Sequence, residues 1–369
     1  MCENDNMLGL ALSGGLPTPH PRKGFKTLPV EDAVGMMLAH DITEIRQGEF
    51  KGRAFKKGHI ITADDIEHLK RLGKNNIYLL EIDDDSMHEN DAAFALARSL
   101  VGSGVEIEGQ PSEGKLNLLA AHNGLLKVDK DALYKFNLVG EVMCATLHTN
   151  TVVTKGQIVG GVRAIPLVVK KEVVQRAVSA AKDANGCLQV REIRKARAGV
   201  VITGSEVYTG KIEDKFLPVV QTKIARFEGE IIGSHLAPDD AAFIVQRLRG
   251  LIEAGADLLI ITGGLSVDPD DVTRLAVNML GVTEMHYGAA VLPGSMFLVA
   301  YMEGAAGATI PILCIPACGM YHGITIFDLV LPRVLAGDHI GREELAEMGH
   351  GGLCMQCKEC HYPICPFGK

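Results

Sequence analysis

Between residues 198 and 337 the apolar positions fall into short solid runs separated by helical stripes. Leu258-Leu-Ile-Ile-Thr262 is a run without polar alternation, the pattern of a strand buried on both faces. Comparable runs predict strands over 199–203, 230–235, 257–262, 284–292, 296–302 and 310–315. Apolar residues three and four apart predict helices over 214–228, 239–254, 270–280 and 319–336. Strand alternating with helix implies a mostly parallel sheet covered on both faces, a three-layer α/β domain. The two runs flanking Pro293-Gly294 have no helix between them and read as a hairpin.

Upstream the pattern changes twice. Residues 1–24 hold Gly14-Gly15 and three prolines with no apolar period, a loose leader. Residues 25–85 form an irregular α/β module: Pro29 to Asp41 is apolar at helical spacing, Gly58-His-Ile-Ile-Thr62 reads as a strand, and Thr62-Ala-Asp-Asp65 opens a helix that ends at Gly73. Residues 86–186 form a β-rich middle domain, with an Ala-rich helix over 91–100, β-like text over 108–169 and a helix over 171–181. The α/β domain then spans 187–340, and a Cys-rich tail 341–369 follows as a separable appendage.

A chain of 369 residues exceeds a single usual core, in keeping with this division. Hydrophobic residues at 47% and charged residues at 22% suit a soluble globular protein. A formal charge of −8, aromatics at 5% and no Trp argue against nucleic-acid and anionic-membrane partners. No apolar run reaches membrane-spanning length, and Met1-Cys-Glu-Asn-Asp5 lacks the basic start of a secretory signal, so a cytoplasmic location is expected. There, nine cysteines read as thiols, metal ligands or redox groups rather than structural disulfides.

Candidate chemistry concentrates where predicted strands end. Gly263-Gly264 follows the 257–262 strand, and Asp268, Asp270 and Asp271 follow the glycines. Such strand-to-helix turns bind ligands in open α/β sheets, and carboxylates there can hold a divalent ion beside a phosphate. Five further segments fall in series: Val201-Ile-Thr-Gly-Ser-Glu206, Gly210-Lys-Ile-Glu-Asp214, Pro238-Asp239-Asp240, Leu292-Pro293-Gly294, and Ile315-Pro316-Ala317 ahead of Leu329-Val-Leu-Pro332. With Thr262-Gly-Gly-Leu-Ser-Val267 and Asp271, this order resembles the molybdopterin-binding domain shared by molybdopterin molybdenumtransferases, molybdopterin adenylyltransferases and gephyrin. Leu38-Ala-His-Asp41 resembles, more loosely, a module found in molybdenum-cofactor proteins.

The resemblance implies that Thr203, Gly204, Glu206, Asp240, Thr262, Gly263, Gly264, Ser266, Pro293 and Gly294 bind molybdopterin. It gives Asp214 and Asp271 the catalytic role of organising Mg²⁺ or the phosphates of an adenylylated pterin, with molybdate as co-substrate. The plainer alternative for Asp214, Asp240 and Asp271 is helix capping. Three departures stand out. Ser295-Met296 replaces the Lys-Pro of the family's Pro-Gly-Lys-Pro turn, Ala317-Cys318 replaces Gly-Asn, and the Asp-Gly-Tyr-Ala segment has no counterpart. Cys314, Cys318 and His322 cluster at the expected pocket edge, as metal contacts or as small buried hydrophobes.

The tail supplies a second signal. Cys354, Cys357, Cys360 and Cys365 are spaced by two, two and four residues, with Pro366 next. This approximates the bacterial ferredoxin run, whose last spacing is three. A [4Fe–4S] cluster and a tetrahedral Zn²⁺, with His350 or His361 as substitute ligands, are both open, as is a metal-free redox tail. The expected function is molybdenum-cofactor biosynthesis, binding molybdopterin and inserting molybdate, in a homo-oligomer. The alternatives are a non-catalytic carrier serving a client molybdoenzyme and a metal- or redox-sensing regulator.

Overall fold

The computed structural model describes residues 25–369 except 37, 47–49, 81–82, 182–185, 267–271 and 305–306. Asp268, Asp270 and Asp271 therefore lie outside the described residues, as does the leader.

The strand Leu258–Thr262 is buried at every position because it runs through the interior of a six-stranded sheet. The order across that sheet is Glu230–Ala237, Arg197–Thr203, Leu258–Thr262, Thr309–Ile315, Leu298–Glu303 and Glu284–Tyr287. The first four strands are parallel, and the last two extend the sheet antiparallel to their neighbours. Alternation within each strand divides the core into two. Val200, Ile202, Leu258, Ile260, Leu313 and Ile315 face one apolar layer with Phe216, Val220, Phe327 and Val330. Val201, Leu259, Ile261, Ile312 and Cys314 face the other, with Ile244, Leu248 and Val277. Side chains of successive strand residues point to opposite faces, so an unbroken apolar run requires cover on both. The three-layer α/β domain is the result.

Two boundaries differ from expectation. The strand expected over 284–292 stops at Tyr287, where Gly288 takes a positive φ and its amide donates to the Phe297 carbonyl at 2.8 Å. The helix expected over 319–336 is instead a 3₁₀ turn, Ala317–Met320, and a separate helix, Ile326–Leu335. Thr325 and Asp328 form a reciprocal capping box that fixes the later start.

The middle domain carries the expected helices at Glu89–Leu100 and Lys171–Ala181. It also carries an unexpected one, Lys130–Leu138, capped by Asp129, whose side chain accepts from the Ala132 amide at 2.9 Å. In the N-terminal module the helix expected from Pro29 to Asp41 reduces to the 3₁₀ turn Val30–Ala33, since Gly35 at φ +85° ends it. Residues 58–61 pair irregularly with Gly35, Met36 and Leu38 instead of forming a strand, and Ile42–Arg46 pairs antiparallel with Phe50–Phe55, which the expectation lacked. The helix Asp65–Arg71 lies where the capping pattern put it. Among the described residues, no helix is long and apolar enough to cross a membrane.

The tail is docked against the α/β domain. The Leu292 amide donates to the Gly352 carbonyl and the Cys354 amide to the Leu292 carbonyl, each at 2.8 Å. Phe367 is 3% exposed within the cluster that holds Phe327.

Asp338 joins the middle and C-terminal domains. Its carboxylate accepts from Lys127 Nζ at 2.7 Å and from Arg191 Nη1 and Arg333 Nε at 3.0 Å. Burial alone would raise this carboxyl, but hydrogen bonds from Lys127 and Arg333 outweigh it and hold the group below the ordinary carboxylate range. A carboxylate depressed in the folded state contributes its full stability above its unfolded pKa, and loses it as pH falls through the folded one. Asp338→Asn is therefore expected to cost about 3 kcal/mol at neutral pH, since it strands half-buried cations. Thermal melts should show the gap to the parent protein closing as pH falls below about 4.

Candidate functional site

The carboxyl ends of the parallel strands lie on one edge of the sheet. From Thr203 the chain leaves to one side, to Glu230–Ala237, and returns to the other, to Leu258–Thr262. The ends of the adjoining strands Arg197–Thr203 and Leu258–Thr262 thus flank a topological switch point, where open α/β sheets leave a crevice.

The floor of the crevice is a small network of threonines. Thr203 Oγ1 donates to the Thr262 carbonyl at 2.9 Å and lies 3.4 Å from Thr273 Oγ1. Thr273 Oγ1 donates in turn to the Gly263 carbonyl at 3.0 Å. Gly263 and Gly264 both sit at positive φ, +86° and +60°. A Cβ on Gly263 would come within 2.7 Å of the Thr203 carbonyl, and one on Gly264 would strike Thr273 Oγ1. These glycines let the turn close onto its neighbours. Gly204, at φ +139°, is different: its missing Cβ would meet nothing within 4 Å. Thr262 Oγ1 is fully buried with no hydrogen-bond partner among the described residues.

Above this floor the crevice has two lobes. One, of ≈ 820 Å³, is lined by Thr203, Gly204, Ser205, Glu206, Glu213, Asp214, Lys215, Asp239 and Tyr321 among others. Among the described residues, four carboxylates against one Lys make it acidic. The other, of ≈ 530 Å³, is lined by Gly263, Gly264, Leu265, Ser266, Pro293, Gly294, Met296, Pro316, Cys318 and His322, with Leu353 and Gln356 from the tail. No Lys, Arg, Asp or Glu lines this second lobe among the described residues. Gly263 and Ala317 line both lobes and mark their junction.

Of the residues expected to form the site, Thr203, Gly204, Glu206, Asp214, Gly263, Gly264, Ser266, Pro293 and Gly294 line the crevice. Thr262 lies beneath it rather than in its wall. Asp240 does not line it. Its side chain accepts from the Phe243 amide at 2.9 Å and caps the helix Ala241–Glu253. Its neighbour Asp239 faces the crevice instead, accepting from the Ser205 amide at 2.8 Å while its own amide donates to Ser205 Oγ at 3.2 Å. Asp271 lies outside the described residues.

Asp214 does both things its sequence position allows. Its two oxygens accept from the Phe216 and Leu217 amides at 2.8 and 3.1 Å, at the mouth of the helix Phe216–Ala225, while the side chain lines the acidic lobe. An ionised carboxylate has about four acceptor positions, so two backbone donors leave capacity for a cation. Burial pushes the Cys318 thiol up, which keeps it protonated and poorly suited to nucleophilic work. Among the contributors that the sequence reading left out of the site are Asp239, overshadowed by the equally acidic Asp240, and Leu353 with Gln356, about sixty residues beyond the Pro293 turn they approach.

Residues 199–336 match the model of a family described as a probable molybdopterin binding domain. Residues 27–81 match a domain of unknown function (DUF8806). A CinA-like protein from Mycobacterium tuberculosis is 38% identical over 78 residues, 21% of this chain and 18% of that protein. Another from Mycolicibacterium vanbaalenii is 38% identical over 96 residues, 26% and 23% respectively. The matched stretch thus spans less than a quarter of the length of these curated relatives. Among solved structures, the tungsten cofactor synthesizing protein MoaB from Pyrococcus furiosus aligns at 17% identity and a TM-score of 0.32, over 38% of this chain and 96% of that one. A putative molybdenum cofactor biosynthesis protein from Corynebacterium diphtheriae aligns at 17% and 0.33, over 42% and 99%.

Proposed function

We propose, from the premise that residues 199–336 carry the probable molybdopterin binding domain, that the chain binds molybdopterin in the two-lobed crevice and acts in molybdenum-cofactor biosynthesis. The observation that carries this reading is the gathering of Gly204, Glu206 and Asp214 with Gly263, Gly264, Pro293 and Gly294 around one switch-point crevice. The second lobe, with Leu265, Met296 and Pro316 in its wall and backbone groups of the glycine turns, suits a flat heterocycle. The acidic lobe suits a phosphate neutralised by Mg²⁺. Hard oxygen donors fit that ion, which keeps several waters and is usually held by only one or two carboxylates plus substrate phosphates. Among the described residues, no three His, Cys, Asp or Glu side chains converge to hold an ion.

The finer reading is a transferase that places molybdate on bound or adenylylated molybdopterin. In it, Asp214, with Asp271 on the segment after Gly264, orients the cation beside the phosphates, and the cation neutralises charge and positions the substrate. A second reading, a carrier that hands the cofactor to a client molybdoenzyme, is favoured by the second lobe. Ser295 and Met296 stand there where the resembled transferases place a lysine, so an anionic co-substrate meets no cationic side chain among the described residues.

Calorimetry of the full chain with molybdopterin and Mg²⁺ tests the common claim. Asp214→Ala is expected to weaken binding at least tenfold, about 1.4 kcal/mol, and separately to cost about 1 kcal/mol of stability as a lost cap. Unchanged affinity would reduce Asp214 to a cap. Molybdate with adenylylated molybdopterin and a cofactor-free molybdoenzyme then separates the readings. Activation by catalytic amounts of the chain supports the transferase, and stoichiometric delivery of preformed cofactor supports the carrier.

A further inference from the structure

We propose that Cys354, Cys357, Cys360 and Cys365 together hold one soft metal centre, zinc or an iron–sulfur cluster, built into the wall of the crevice. All four thiols line a single cavity of ≈ 240 Å³, together with His322, His361, Tyr362 and Phe367. Every described cysteine is free, so no disulfide competes for these thiols. The Cys354-Met-Gln-Cys357 loop turns back on its first thiol. Gln356 takes a positive φ of +51°, and its amide donates to Cys354 Sγ at 3.5 Å. Hydrogen bonds to sulfur of this kind are among the contacts that tune metal–thiolate centres.

The scaffold around the thiols is fixed at both ends. Leu353 bridges to Leu292 at one end and Phe367 is buried at the other, while Cys354 and Cys365 pack against the apolar core. Cys357 and Cys360 are exposed on the turns between. No three of these groups stand within reach of a common ion in the described residues. The segment from Met355 to His361 contains neither helix nor strand, so closing the two exposed thiols over the two anchored ones breaks no regular structure. Four thiolates satisfy tetrahedral zinc or the corners of a cubane, and the ligand set draws nothing from the molybdopterin reading.

The test is metal binding by the full chain, purified without oxygen and stripped of metal. Titration with Zn²⁺, and reconstitution with ferrous iron and sulfide in a parallel arm, should show one centre per chain. A brown product identifies the cluster, and a colourless one with one zinc identifies the tetrahedral ion. Cys357→Ser and Cys360→Ser, both at exposed positions, should each weaken zinc binding by more than the roughly 10–100-fold typical of losing an outer partner of a metal ligand. Cys144→Ser, buried in the middle domain, should leave it unchanged. Because ligation releases thiol protons, zinc affinity should also fall on acidification. Parent-like affinity in the Cys357→Ser, Cys360→Ser double variant overturns the assignment, as does a parent chain that takes up neither zinc nor a cluster.

Discussion

Replacing Phe367 by Ala is expected to lower stability by about 3–4 kcal/mol, the cost of truncating a fully packed Phe. The ring is 3% exposed in the layer that holds Phe327, Val330 and Leu331, with Tyr362 edge-on at a centroid distance of 6.5 Å. The loss should appear as a lower denaturant midpoint with an unchanged slope, because the core loses packing without changing the surface exposed on unfolding. Ile364→Ala, three residues earlier and 89% exposed, is expected to stay within about 0.5 kcal/mol of the parent. Equal midpoints for Phe367→Ala and the parent would mean that the tail is not seated on the domain in solution.

The second large effect is expected at Gly264. Gly264→Val places a β-branched residue at φ +60°, a strain of about 1–3 kcal/mol. It also drives a Cβ into Thr273 Oγ1, adding an overpacking term of about 1–3 kcal/mol. A total of about 4 kcal/mol follows from the middle of both ranges, and ligand binding should be lost with it, since the turn forms the crevice wall. Two measurements separate the causes. Gly264→Ala keeps the contact with less side-chain strain, and pairing it with Thr273→Ala in a double-mutant cycle should recover a coupling of about 0.5–3 kcal/mol. Zero coupling would assign the whole effect to backbone strain.

The sheet was legible where pattern and burial agree. An apolar run such as Leu258–Thr262 has one stable placement, inside a covered sheet, whereas the capping box of Thr325 with Asp328 went unread and the last helix was started too early. Errors arose where one pattern serves two structures. The apolar residues from Val30 to Ile42 keep helical spacing for a single turn, and Gly35 then turns the chain away. Ala132 and Phe136 have the right spacing for the helix Lys130–Leu138, yet the β-like text on either side hid it. Asp239 and Asp240 are chemically identical, and only the chain direction on entering the helix decides which one caps and which faces the crevice. Seating of the tail was invisible for another reason: contacts between Leu292 and residues 352–354 leave no periodic trace in the sequence.

His322 and Gln356 line both the apolar lobe and the thiol cavity, so the two cavities share a partition. Equilibrium linkage makes any influence across it mutual. If occupying the thiols shifts the partition and changes affinity for a crevice ligand by some factor, the crevice ligand changes affinity for the thiol-bound metal by the same factor. A threefold effect in each direction, about 0.65 kcal/mol, would make this chain report metal supply through its crevice ligand, and ligand supply through its grip on metal.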